Sequence, residues 1–185
     1  MKKNHFIVLL AFIVLFVFST CDLEKGFFFN EEKFNSEWNK WNDADIQNYS
    51  FTLNGKLPHW NFSRAILMFE YEVNIIVKNG QMESFEYIGN IPHNEENEES
   101  ILEPEFTSIS DMYQKISDRA KKEKDWWKND SGNGGFVSTT YNIKYAPQLH
   151  YITFFEPVIE VESGWILDTT NHAVRISNFI VHDSE

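Results

Sequence analysis

The sequence predicts an α+β fold: two amphipathic helices packed on an antiparallel sheet built from hairpins, in the order helix–strands–helix–strands. Three observations lead there. Apolar residues recur at helical spacing in two separate stretches, residues 31–43 and 108–127. Alternating apolar and polar residues fill much of the remainder, between 49 and 88 and between 136 and 181. Asn79-Gly80 joins two of these runs, and both residues tolerate the positive φ of a two-residue hairpin turn.

The elements follow in order. Asn30 suits a helix N-cap, and Glu31 and Glu32 suit the positive end of the helix dipole. Phe34, Trp38 and Trp41 then form one apolar stripe. Tyr49, Phe51 and Leu53 alternate with Ser50, Thr52 and Asn54 as a half-buried strand, which Asn54-Gly55 is expected to end. Residues 56–63, with Pro58, read as a loop, and 65–78 and 81–88 read as the two arms of a hairpin. Asn94 to Ser100 is a charge run and reads as a solvated loop. Ser108-Ile109-Ser110-Asp111 resembles a capping box with Asp in the acidic position, followed by Met112, Tyr113, Ile116 and Ala120 at helical spacing. Residues 131–135 read as a glycine-rich connector. Then come strands over 136–145 and 149–156, an interruption at Pro157, a weaker strand from 158 to 167, and a last strand over 173–181. The helix-then-strands order occurs twice, which raises an internal duplication, although no residue-level repeat accompanies it.

The amino terminus has its own pattern. Lys2 and Lys3 precede thirteen unbroken apolar residues, Phe6 to Phe18, and then Ser19, Thr20 and Cys21. A positive start, a short apolar run and small residues describe an export signal. Thirteen residues fall short of the ~20 that cross a bilayer as a helix. Phe18-Ser19-Thr20-Cys21 resembles a bacterial lipobox, with Phe18 and Thr20 in place of its usual residues. There, the cysteine thiol receives a diacylglyceryl group and becomes the first mature residue. The expected organisation is a signal over 1–20, a tether over 21–29 and one α+β domain over 30–185. A multiply acylated Cys21 would hold the domain at a membrane without a spanning helix. It is the only cysteine, so no intrachain disulfide can form.

Charge excludes one class of partner. Sixteen Lys and Arg against 28 Asp and Glu give a net charge of −12, and residues 1–20 hold two lysines and no acid, so residues 21–185 carry −14. Such a surface repels phosphate backbones, and nucleic acid is not expected as a partner. The same acidity argues that the domain stands off an anionic membrane. The basic stretch from Arg119 to Lys124 reads as a solvated helix face.

No catalytic constellation emerges. His59, His93, His150, His172 and His182 are scattered, and no pair has HxxxH spacing. His150 reads as a half-exposed strand residue. Asp168 and His172 lie four apart with no serine marked to complete a triad. Glu160 and Glu162 share a strand face, which reads as the charged solvent face of an edge strand in preference to an acid–base or cation-holding pair. No cofactor, metal site or catalytic residue is expected, and the expectation is that the protein is not an enzyme.

Three stretches together resemble the family of small bacterial lipoproteins called domain of unknown function 6174. They are WNKWNDADIQNYSFT (38–52), VNIIVKNGQMESF (73–85) with SISDMYQKI (108–116) after it, and TYNIKYAPQLHYITFFEP (140–157). The resemblance covers about residues 30–182 and implies location and fold type, with no catalytic residue to carry over. The functional expectation is a lipid-anchored lipoprotein on the extracytoplasmic side of the cell membrane or outer membrane. It would touch the membrane through acyl chains on Cys21 and act as a binding module, with an envelope protein as the expected kind of partner. Alternatives are an inhibitor-like or chaperone-like lipoprotein docking on an envelope enzyme, and an enzyme with an unmarked site.

Overall fold

In a computed structural model, residues 26–60, 66–89, 93–94, 97–130, 136–161 and 173–183 are described. They form a mixed α+β fold with two helices and a seven-stranded, mostly antiparallel sheet. A short strand, β1 (Gly26–Phe28), precedes α1 (Glu31–Asp43). Five strands follow: β2 (Tyr49–Trp60), β3 (Ile66–Lys78), β4 (Gln81–Tyr87), and the small pair β5 (His93–Asn94) and β6 (Asn97–Ile101). Then come α2 (Ile109–Asp130), β7 (Phe136–Tyr145), β8 (Ile152–Val161) and β9 (Val174–Val181). The sheet order is β1-β7-β8-β9-β2-β3-β4, and β5 pairs only with β6. Among the described residues three differences from the expected order follow: an added first strand, five strands rather than three between the helices, and three strands after α2, with residues 162–167 of the expected weaker strand outside the described residues.

Local chemistry sets the helix starts. The Asn30 side chain accepts the Lys33 N–H at 3.0 Å, closing the first turn of α1. The Ser108 hydroxyl accepts the Asp111 N–H, while Asp111 reaches back to the Thr107 N–H at 2.9 Å rather than to the cap residue itself. The Tyr49 hydroxyl, from β2, accepts the Ile109 N–H at 3.0 Å, so a strand side chain completes the capping of α2. Phe34 and Trp41 of α1 and Ile109, Met112, Tyr113, Ile116 and Ala120 of α2 share one buried cluster with Tyr49, Phe51, Leu53, Val73, Ile75, Phe155 and Ile176 of the sheet. Edge-to-face ring pairs dominate it: Phe34 meets Phe29, Trp38 and Tyr113 at 5.1, 6.0 and 5.2 Å.

Two strands run through residues expected to stop them. β2 continues past Asn54-Gly55 and Pro58, in register with β3 to Trp60↔Ile66. β8 continues through Pro157, which pairs with Tyr141. The reason is shared. The β9 ladder reaches only Tyr49–Asn54 of β2 and Phe154–Phe155 of β8. Beyond that point each strand has a neighbour on one side among the described residues, and proline's missing N–H deprives no ladder of a bond. Gly55 is a close-approach site, not a turn: a Cβ there would lie 2.5 Å from the Tyr71 hydroxyl and 2.6 Å from its ring. The charge run at 94–100 is likewise no simple loop, since it supplies most of β6 and part of β5. Asn79-Gly80 does turn as expected, with φ of 51° and 75°.

Strand directions also decide the question of duplication. Each helix is followed by a three-stranded meander, β2-β3-β4 or β7-β8-β9, and both meanders progress the same way across the sheet. Because β9 is antiparallel to β2, however, β7 runs opposite to β2. With both helices contributing to one cluster, the two units have opposite hand, and no rotation superposes them. A tandem copy would keep its hand, so the repeated order is not a repeated unit.

Candidate functional site: the helix-free face of the sheet

The alternation that buries the odd-numbered residues of β2 and β3 sends their even-numbered partners to the other face, away from the aromatic cluster. A β-bulge extends the pattern to β9. Ser50 pairs with Ile180 and Thr52 with Ser177, so two residues, Asn178 and Phe179, oppose Phe51. Asn178 takes φ 50°, and Phe179 turns onto the Tyr49 and Tyr151 rings at 5.3 and 4.2 Å. Asn178 is thereby delivered to the helix-free face.

There the side chains bond laterally. The Thr52 hydroxyl donates to Asn74 Oδ1 at 2.8 Å and accepts from Asn178 Nδ2 at 3.2 Å. Asn54 Nδ2 donates to Ser177 Oγ at 3.2 Å. Ser138 and Asn142 of β7 donate to Glu160 and Glu156 of β8, at 2.9 and 3.3 Å. Ile76 and Ile180 flank Ser50 in the same row and are 43% and 54% exposed. Two open clefts follow. One, of about 750 Å³, has Thr52, Asn74 and Asn178 on its floor and Ile76, Ile180 and His182 at its rim. The other, of about 780 Å³, lies at the start of β9 and brings Lys56, Glu70, Glu72, Phe154 and Arg175 together. Lys56 and Glu70 pair at 2.8 Å there, and the Arg175 guanidinium sits 6.0 Å from the Phe154 ring centre.

Little of this arrangement suits catalysis. His182 Nε2 lies 3.0 Å from the Ser50 hydroxyl, a nucleophile–base distance. Among the described residues no carboxylate bonds its other nitrogen, and the His182 side chain is open to water, so nothing orients the ring. No group of three or more His, Cys, Asp or Glu that could hold a metal occurs among the described residues. Burial pushes the Tyr113, Tyr141 and Tyr145 phenols above their ordinary values, so they stay protonated at neutral pH.

The residues singled out in sequence scatter. Cys21, Glu162, Asp168 and His172 lie outside the described residues, as does the connector 131–135, and so do the side chains of His59 and His93. Glu160 is taken up by Ser138. His150 is not a strand residue: it precedes β8 in the β7–β8 turn with φ 59°, its carbonyl accepts the Tyr113 hydroxyl, and its Nδ1 meets Glu37 Oε2 of α1 at 2.7 Å. Burial works against the Glu37 carboxylate, but bonds from Lys40 and His150 outweigh it and hold its pKa below the ordinary value. The Thr52–Asn74–Asn178 chain and the Ser50–His182 pair escaped the sequence reading. Alternation marks such residues as outward, but only strand register says which ones meet. Among the described residues no helix is long and apolar enough to cross a membrane. Compared with family models, with curated proteins and with solved structures, the chain finds no match in any of the three.

Proposed function

We propose that this chain is an extracytoplasmic lipoprotein, anchored by acyl chains on Cys21, that binds a partner of the cell envelope through the helix-free face of its sheet. The anchor rests on the sequence: a positive start, thirteen apolar residues and FSTC. The binding role rests on Ile76 and Ile180, two exposed apolar side chains flanking a polar, laterally bonded floor, which is the composition of an interface rather than of a closed catalytic pocket. The scaffold that goes with this reading is a pair of amphipathic helices laid on the opposite face, supported by the buried cluster they share with the strands. Kinship with domain of unknown function 6174 is part of the proposal and rests on the three stretches quoted above.

Two experiments test it. Cys21→Ser should abolish lipid labelling and detergent-phase partitioning, and unchanged partitioning would remove the anchor. A photoreactive residue at position 76 of the lipidated protein, irradiated in its own membrane, should give a discrete protein adduct. The same residue at exposed Glu32 should not. Equal yields at both positions would remove the binding face. An adduct with an envelope enzyme would turn the reading toward an inhibitor-like role.

A further inference from the structure

The strand β1 ties the anchor to one end of the domain. Gly26, Phe27 and Phe28 pair in parallel with Ser138, Thr139 and Thr140, near the start of β7. The carboxyl end of α2 lies beside them: Trp127 Nε1 donates to Thr139 Oγ1 at 3.3 Å, and Lys124 reaches Glu31 at 2.8 Å. The opposite end holds the start of α2 and the last turn of α1, where Trp41 Nε1 bonds Ser110 Oγ at 3.2 Å. α2 has 22 residues and is therefore about 33 Å long.

The tether is short on that scale. Gly26 is the fifth residue after Cys21, so fully extended chain places it at most about 18 Å from the acylated cysteine. An inverted domain, with the start of α2 at the membrane, would hold Gly26 roughly 30 Å away, beyond the tether's reach. The end that does face the membrane also has the chemistry for it. Residues 119–128, RAKKEKDWWK, hold five cations and two anions in a chain of net charge −12. Lys122 is exposed with no ion pair among the described residues, and Trp126, one turn on along the same helix face, is 38% exposed. Among the described residues Lys121 and Lys128 pair with exposed Asp118 and Asp125 at 3.7 and 4.0 Å, and such pairs yield readily to another anion.

We infer that the end of the domain formed by β1 and the carboxyl end of α2 rests on anionic lipid headgroups, with Lys122 and Trp126 as contacts. The overall acidity then describes the part of the protein turned away. This inference rests on the Cys21 anchor and adds an orientation to it.

The acylated full chain tests it in vesicles of phosphatidylethanolamine and phosphatidylglycerol containing a headgroup-nitroxide lipid. Acylation occupies the single native cysteine, so an introduced one carries the only fluorophore. Asn129→Cys, at the carboxyl end of α2, should be quenched several-fold more than Asp43→Cys, at the end of α1. Equal or reversed quenching in protein shown by mass to carry lipid overturns the orientation and leaves the anchor standing. Absence of lipid overturns both. In the Asn129→Cys background, the combined change Lys122→Gln, Lys128→Gln and Trp126→Ala should lower the quenching while circular dichroism stays unchanged. Unaltered quenching overturns the headgroup contact.

Discussion

The two faces of the sheet come from the same strands and use opposite strategies. Odd-numbered residues of β2 and β3 (Tyr49, Phe51, Leu53, Tyr71, Val73, Ile75) enter one aromatic cluster with both helices. Their even-numbered neighbours (Ser50, Thr52, Asn54, Asn74) bond sideways across strands and leave Ile76 exposed. One face is committed to the fold. The other carries no helix among the described residues, and its polar side chains bond one another, so that surface is ordered on its own.

This contrast predicts a gradient of mutational effect. Phe34→Ala empties the middle of a ring cluster and should cost about 3–5 kcal/mol in denaturant unfolding. A cost like that of a surface change would mean that the cluster is not the core. Gly55→Ala drives a methyl against Tyr71 and should cost about 1–3 kcal/mol, whereas Tyr71→Phe, which removes a buried hydroxyl with no partner among the described residues, should cost nothing or stabilise. Thr52→Val on the helix-free face breaks two hydrogen bonds and should cost about 1 kcal/mol. A loss as large as that of Phe34→Ala would erase the distinction between the faces.

The smallest effect depends on pH. The folded-state pKa of Glu37 lies below its ordinary value, so its stabilisation is complete above about pH 5 and fades as pH falls through the folded value. Wild type and Glu37→Gln should therefore differ at neutral pH and converge on acidification. A gap that widened in acid would reverse the assignment.

Elements with complete local instructions were legible in the sequence. Asn30 and Ser108 cap where helical periodicity begins, and the Asn79-Gly80 turn follows its own residues, with Tyr49 at the second cap and Asn48 and Gln47 at the turn adding bonds from a distance that agree with the local signal. The misread places answer to distant partners. Gly55 stays in a strand because Tyr71 needs the space, and Pro58 and Pro157 are tolerated because β9 stops short. Phe27 and Phe28 read as a tether until β7 supplies a ladder. The asparagine–threonine chain of the candidate site needs β2, β3 and β9 side by side, and the Asn178 bulge that completes it has no local signature. The mirror relation of the two meanders is likewise a property of sheet order, invisible in a string of elements.

The pairing of β1 with β7 also bears on when the domain becomes complete. Gly26 must find Ser138, 112 positions later in the chain. A strand with so distant a partner cannot dock until α2 and β7 exist. The first strand of the described chain can therefore be placed only after the local β2–β3 and β3–β4 pairs are able to form. The β1 edge of the sheet is thus completed late, although its residues come early in the chain.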